Sequence, residues 1–198
     1  VQAVPGNQPT VGTVAGFPGI QGTDLGVQFL AAPDSASDQD IFTSGGFAIG
    51  VVNALLASNV SSLWSKGQWV LYGFPGGGGM QLWWYRKGSG GDGFWGTNDL
   101  LPTGKHIVSV SFNDTTPTVA PVISIDGTVC TFGTTNAVSG AAVSDHGSSL
   151  ELINNVVINS NDHALDGTMY EVMFFKGPVS APNQAILVAD MKSYYSIP

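Results

Sequence analysis

The chain contains only two glutamates, Glu151 and Glu171, and neither has a carboxylate two residues away. Glycoside cleavage needs two carboxyl groups a short fixed distance apart, one as acid and one as nucleophile or base. Asp162 and Asp166 sit in a polar, turn-like run and make no better pair. The three histidines are scattered: His106 alternates with Ile107 and Val108, while His146 and His163 follow Asp145 and Asp162. A loop His–Asp neighbourhood reads as local hydrogen bonding, and no Cys/His zinc spacing is present. Cys130 is the single cysteine, so it has no disulfide partner within the chain and reads as a small core residue on a strand. The glycine run Pro75–Gly79 is not a phosphate loop, because no Gly-Lys-Ser/Thr follows it.

Binding chemistry has better material. Sugars stack their apolar faces on aromatic rings while amides and carboxylates take the hydroxyls. Trp83, Tyr85, Phe94 and Trp95, with Asn98 and Asp99, supply both ingredients around one glycine-rich segment, and they are the candidate ligand-binding residues. Trp95 is expected to be exposed on the loop 87–96, whereas Trp64, Trp69 and Trp84 are expected in the core. Asp92, Asn98 and Asp99 are the nearest thing to calcium ligands, without a motif behind them, so no cofactor is expected. The acidic run Pro33–Asp40 reads as a solvated turn, with a cation site as its sharper alternative.

The elements that must position these residues read as β throughout. Gln81–Arg86 alternates, with Leu82, Trp84 and Arg86 on one face and Trp83 and Tyr85 on the other. Further strands are expected at Leu25–Leu30, Phe42–Asn53, Leu63–Ser65, Gln68–Tyr72, Leu101–Phe112, Val119–Ile125, Thr128–Phe132, Ser149–Ile158 (bulged at Asn154–Asn155) and Thr168–Phe175. Asp126-Gly127 is a tight-turn signal between two of them. Pro75–Gly79 reads as a flexible loop. After Gly177-Pro178, Ser180 is placed as an N-cap, Pro182 falls in the first turn, and Leu187, Met191, Tyr194 and Tyr195 recur at helical spacing. Residues 1–24 read as an extended N-terminal arm and residues 25–198 as one domain.

Composition limits the partners. In 198 residues the charged fraction is 10%, against about 25% in typical globular proteins. The net charge is -8 and Arg86 is the only arginine, which argues against nucleic acid and anionic membranes. No apolar run approaches the roughly 18 residues of a membrane span, and no signal peptide is read. The missing initiator Met reads as a processed product or a segment of something longer. Asn59 and Asn113 match the N-glycosylation pattern, a signal that short sequences produce by chance.

Two segments carry a family resemblance. The valine-rich strand, Asn113-Asp114 turn, strand and Asp126-Gly127 run, and the closing segment Asp166-Gly167-Thr-Met-Tyr-Glu171-Val172 through Ser180 and Lys192-Ser-Tyr194, resemble concanavalin A-like lectin/glucanase domains of the laminin-G-like type. The lead-in Gln8-Pro9-Thr10 followed by Gly22 is similar too. The resemblance implies an all-β fold: a two-sheet antiparallel jelly-roll sandwich with one short C-terminal helix. The family's hydrolases carry a Glu-x-Asp-x-x-Glu strand and its lyases cluster Arg, His, Gln and Tyr; this chain has neither pattern. What remains is a non-catalytic recognition or decoration domain on a virion (phage tail fibre or head surface), binding cell-surface carbohydrate, with an extracellular or virion-surface location. The alternatives are a capsid or fibre cementing protein without a small ligand, and a free secreted bacterial lectin or adhesin. Cell-surface glycan or other virion proteins are the implied partners, with homo-oligomerisation in a larger assembly left open.

Overall fold

The strands assemble into two antiparallel sheets. The computed structural model describes residues 10–14, 16–22, 30–35, 40–55, 60–153 and 164–198. Sheet A runs β1 (Thr10–Val14), β2 (Phe17–Gly22), β14 (Gly167–Phe175), β4 (Gly46–Ala54), β9 (Gly104–Phe112), β10 (Val122–Ile125), β11 (Thr128–Val129). Sheet B runs β12 (Phe132–Asn136), β8 (Gly93–Pro102), β7 (Gly79–Arg86), β6 (Trp69–Gly76), β5 (Ser61–Lys66), β13 (Leu150–Leu152), β3 (Leu30–Ala32). One helix, α1 (Ala181–Tyr195), follows β14. The expected all-β sandwich with a short C-terminal helix is the fold observed.

Aromatic rings fill the space between the sheets. Trp64, Trp69, Trp84 and Trp95 are all buried. Trp69 and Trp84 stack at 5.7 Å, and Phe42 meets each edge-on at 5.0 Å. Phe112 on β9 reaches across to Trp84 at 5.7 Å and Trp95 at 5.6 Å. Cys130 joins this core, where burial pushes its thiol up to about 11.

A second, smaller core lies on the other side of sheet A. Met191 and Tyr195 of α1, with Leu187 and Val188, cover Phe47, Ile49, Val51 and Ile107. Tyr194, expected on the same sticky face, is instead 67% exposed, because adjacent helix positions point about 100° apart and Tyr195 takes the buried direction. Ser180 precedes the helix in an extended conformation, but its hydroxyl makes no capping bond. Pro182 lies in the first turn as expected, and Ser196 ends the helix in the left-handed region at φ 55°.

Two readings of the sequence are corrected, and a third gains detail. Within residues 1–24, read as an extended arm, the described part is paired: β1 and β2 form a hairpin, and β2 pairs with β14. Pro75–Gly79 is not a flexible loop, since β6 and β7 pair up to Gly76 and Gly79 with only Gly77 and Gly78 in the turn. Gly78 takes a φ of 106°, which glycine adopts freely. The loop after β7 ends earlier than expected, because β8 begins at Gly93 and takes in Phe94 and Trp95. The expected residues 1–9, Leu25–Phe29, Asn59, Asn154–Asn155 and His163 lie outside the described residues, as do parts of the 33–40 and 149–158 segments.

The few charges act as internal fasteners. Arg86 is buried and grips Asp114 with two bonds of 2.7 Å, while a third goes to the Gln68 carbonyl at 3.1 Å. Lys66 is fully buried, with its ammonium on the Asp34 carboxylate and 3.3 Å from both the carboxylate and the carbonyl of Asp145. Asp145 also accepts from Trp69 Nε1 at 2.9 Å and from the Asp40 amide at 2.8 Å. Asp34 and Asp40, in the segment read as a solvated acidic turn, are thus tied to the protein's own groups. Removing one member of a buried pair strands the other, so Lys66→Met should lower stability by about 3–5 kcal/mol in urea denaturation.

His106 and Asp126 make a half-buried pair at 2.7 Å, and Asp126 also accepts from the Ile107 amide at 2.8 Å. The Asp126 hydrogen bond raises His106 above its ordinary 6.5 against the effect of burial. Burial alone would raise Asp126, but the bonds from His106 and Ile107 outweigh it and lower the carboxyl below 3.8. A raised histidine contributes stability below pH 6.5 that is lost as pH climbs through its folded value; a lowered aspartate contributes above 3.8 and loses it as pH falls. Thermal melts should therefore show the pair's contribution complete between these limits, and His106→Gln should flatten the decline on the alkaline side.

Candidate functional site

Sheet A has α1 packed on its outer face, while the outer face of sheet B at β6, β7 and β8 carries half-buried and exposed rings. Alternation dictates which ones. On β7, Met80, Leu82, Trp84 and Arg86 point inward, leaving Gln81, Trp83 and Tyr85 outward. Register then places Tyr72 and Phe74 of β6 opposite Trp83 and Gln81, and Phe94 of β8 opposite Tyr85.

These residues form a continuous aromatic patch. Trp83 lies 6.4 Å from Tyr72 and 5.9 Å from Phe94, with planes within 19° and 29° of its own. Phe74, 36% exposed, meets Tyr72 at 5.4 Å and Trp83 at 5.3 Å, edge to face. Gly96 lies directly beneath the indole: a Cβ there would come within 2.6 Å of Trp83 Cε2 and 2.7 Å of Cζ2. The indole is therefore packed against the β8 backbone at Gly96 and bordered by Tyr72, Phe74 and Phe94, and it stays partly exposed. Trp83 Nε1 donates to Gln81 Oε1 at 3.0 Å, and Gln81 Nε2 donates to the Thr97 carbonyl, so the ring is held before any ligand arrives.

Polar groups border the patch. Tyr85 donates its hydroxyl to Asp92 at 2.6 Å, and burial, followed by that bond, pushes its ionisation up. Asp92 also accepts from the Gly88 amide at 3.3 Å, and its carbonyl accepts from Asn136 Nδ2 at 2.7 Å. Burial pushes Tyr72 up to about 12, so both phenols stay neutral donors at physiological pH. Such a surface can stack an apolar ring face and exchange hydrogen bonds with hydroxyls.

Of the residues singled out from sequence, Trp83, Tyr85 and Phe94 share this face. Trp95 does not. It is 2% exposed and sits opposite Trp84 in the ladder, so it points into the core against Phe112. Asn98 and Asp99 are exposed at an irregularity in the β7–β8 register and bond Thr131, the residue just before β12. Asp99 accepts from the Thr131 amide at 2.7 Å and hydroxyl at 3.1 Å, which holds its carboxyl below the ordinary value, and Asn98 donates to the same hydroxyl at 3.3 Å. Asp92 and Asp99 lie near opposite ends of β8, about 20 Å apart at strand rise, so they cannot share a calcium ion. Among the described residues no group of three or more His, Cys, Asp or Glu is placed to hold a metal. His146 pairs with Asp40 at 2.6 Å rather than with its neighbour Asp145. Glu151 and Glu171 stand on different sheets, and Glu171 accepts from the Tyr195 hydroxyl at 3.1 Å. No described helix is long and apolar enough to cross a membrane.

No protein-family profile matches the sequence, and no curated protein matches it. Solved structures do. The CBM40 module of Ruminococcus gnavus IT-sialidase, bound to α2,3-sialyllactose, aligns at TM-score 0.57 and 10% identity over 87% of this chain and 95% of that one. The binding domain of Paraclostridial Mosquitocidal Protein 1 aligns at TM-score 0.59 and 12% identity, over 96% and 46%. Trypanosoma rangeli sialidase in complex with sialic acid aligns at TM-score 0.58 and 14% identity, over 87% and 28%. The likeness is one of fold. The chain spans nearly all of the first neighbour and under half of the other two. The concanavalin A-like expectation is met at the level of a two-sheet sandwich, without a family match.

Trp95→Ala should empty part of the central core and cost about 3–5 kcal/mol in chemical denaturation. A near-normal midpoint would put the ring back on the surface.

Proposed function

We propose that this protein is a non-catalytic carbohydrate-recognition module whose glycan lies on the outer face of sheet B, across Tyr72, Phe74, Trp83 and Phe94. The observation that carries the reading is Trp83 itself. Four of the chain's five tryptophans are buried, while the fifth lies on Gly96 with its polar atom already bonded and stays partly exposed among Tyr72, Phe74 and Phe94. A large ring held rigid and partly exposed loses little freedom on binding and offers apolar area to a sugar. Tyr85, Asp92, Asn136 and Gln81 stand around it for the hydroxyls. Fold neighbours that include a CBM40 module support the same class.

The non-catalytic part rests on the separation of Glu151 and Glu171 and on the locked state of Arg86. Exposure on a virion is drawn from composition and resemblance alone, so the recognition role is proposed apart from any particular assembly. Asn98 and Asp99 remain in the proposal only as rim residues on the β8–β12 edge.

An immobilised glycan array read with wild type and Trp83→Ala tests this. Wild type should give reproducible hits, and the variant should lose about 1–3 kcal/mol, a roughly 5- to 150-fold drop in affinity, with its melting temperature lowered far less than that of Trp95→Ala. Silence of wild type across the array, or hits indifferent to Trp83→Ala, would overturn the proposal.

A further inference from the structure

We infer that the sheet B patch takes neutral glycans and discriminates against sialylated or uronate-bearing ones. This rests on the carbohydrate-recognition reading and adds the charge class of the ligand. It departs from the fold neighbour that was solved with α2,3-sialyllactose.

Recognition of a sugar carboxylate calls for a guanidinium fork or a converging set of ammonium groups. This chain has six lysines and arginines, and their positions decide the matter. Arg86 is buried and committed to Asp114 through both carboxylate oxygens. Lys66 is buried and committed to Asp34 and Asp145. Lys105 belongs to sheet A, where its ammonium lies 4.3 Å over Phe17 and donates to the Tyr195 carbonyl at 2.8 Å. Lys192 is on α1 and donates to the Pro198 carbonyl at 2.9 Å, and Lys176 follows β14, again on sheet A.

Lys87 is the remaining cation, exposed just beyond β7. The next residue, Gly88, donates its amide to Asp92, whose other carboxylate oxygen takes the Tyr85 hydroxyl. The lysine is therefore next in sequence to a backbone amide that holds a carboxylate at the patch border, and its own side chain is exposed to solvent. What the patch presents is aromatic area, two neutral phenols, amides and that carboxylate. Hydroxyls can use all of these, since Asp92 accepts hydrogen bonds from them. A sugar carboxylate can only be repelled by Asp92 and finds one solvated lysine, which screening by salt weakens further.

The test is calorimetric titration of matched oligosaccharide pairs, neutral and capped with sialic acid or oxidised to the uronate, at 50 and 500 mM NaCl. Wild type, Lys87→Ala and Asp92→Asn are compared. The expected result is a Kd for the neutral member that changes less than about twofold with salt and with Lys87→Ala. Acidic capping should weaken binding at least about tenfold, and Asp92→Asn should narrow that gap at low salt. Tighter binding of the acidic member, falling with salt and lost in Lys87→Ala, would overturn the inference while leaving the recognition role intact. No binding of either member, together with a silent array, would remove the recognition role and this inference with it.

Discussion

The stack of Trp69 on Trp84 is the contact on which the rest of the molecule closes. These neighbours on β6 and β7 share the inward face of sheet B, and Phe42, Phe112 and Phe174 meet them from outside that pair of strands. Once Trp84 faces in, pleating forces Trp83 out, because successive side chains on a strand take opposite faces. The surface ring is thus a consequence of the core ring. The cover on sheet A completes the logic: α1 spends its apolar side on that sheet, and the rings of sheet B are left to water or to a ligand.

Charge is used here for closure rather than for contact with partners. Arg86, Lys66 and Lys105 each sit on oxygen acceptors inside the fold, and Asp145 ties Trp69 of the stack to the Lys66 cluster and the Asp40 turn. Buried pairs of this kind stabilise little in net terms but punish the loss of either member. With so few cations left outside, the polar work around the aromatic patch falls to phenols, amides, backbone and the Asp92 carboxylate. That is the chemistry of hydroxyl recognition, and it is poorly suited to phosphate or carboxylate partners.

Much of this was legible in the sequence. Alternation in Gln81–Arg86 assigned Trp83, Trp84 and Tyr85 to their faces, and the C-terminal helix was readable from Pro182 and the spacing of Leu187, Met191 and Tyr195. The failures trace to register. Reading Pro75–Gly79 as a loose loop hid a two-residue turn, and that turn alone sets Tyr72 and Phe74 opposite Trp83 and Gln81. Reading Phe94 and Trp95 as loop residues hid a strand whose pairing places Trp95 opposite Trp84. Glycine-rich composition signals conformational freedom, but partner strands decide whether that freedom becomes a loop or a hairpin. Burial of Lys66 could not be read locally either, since Asp34 and Asp145 reach it from 32 and 79 residues away.

The most direct measurement follows the five indole N–H signals of the nitrogen-15-labelled protein during titration with a glycan that the array identifies. The Trp83 signal should shift progressively and saturate with the binding isotherm, while those of Trp64, Trp69, Trp84 and Trp95 stay in place inside the sandwich. A saturating shift of Trp95, or binding that leaves the Trp83 signal unmoved, would contradict a glycan seated on the outer face of sheet B.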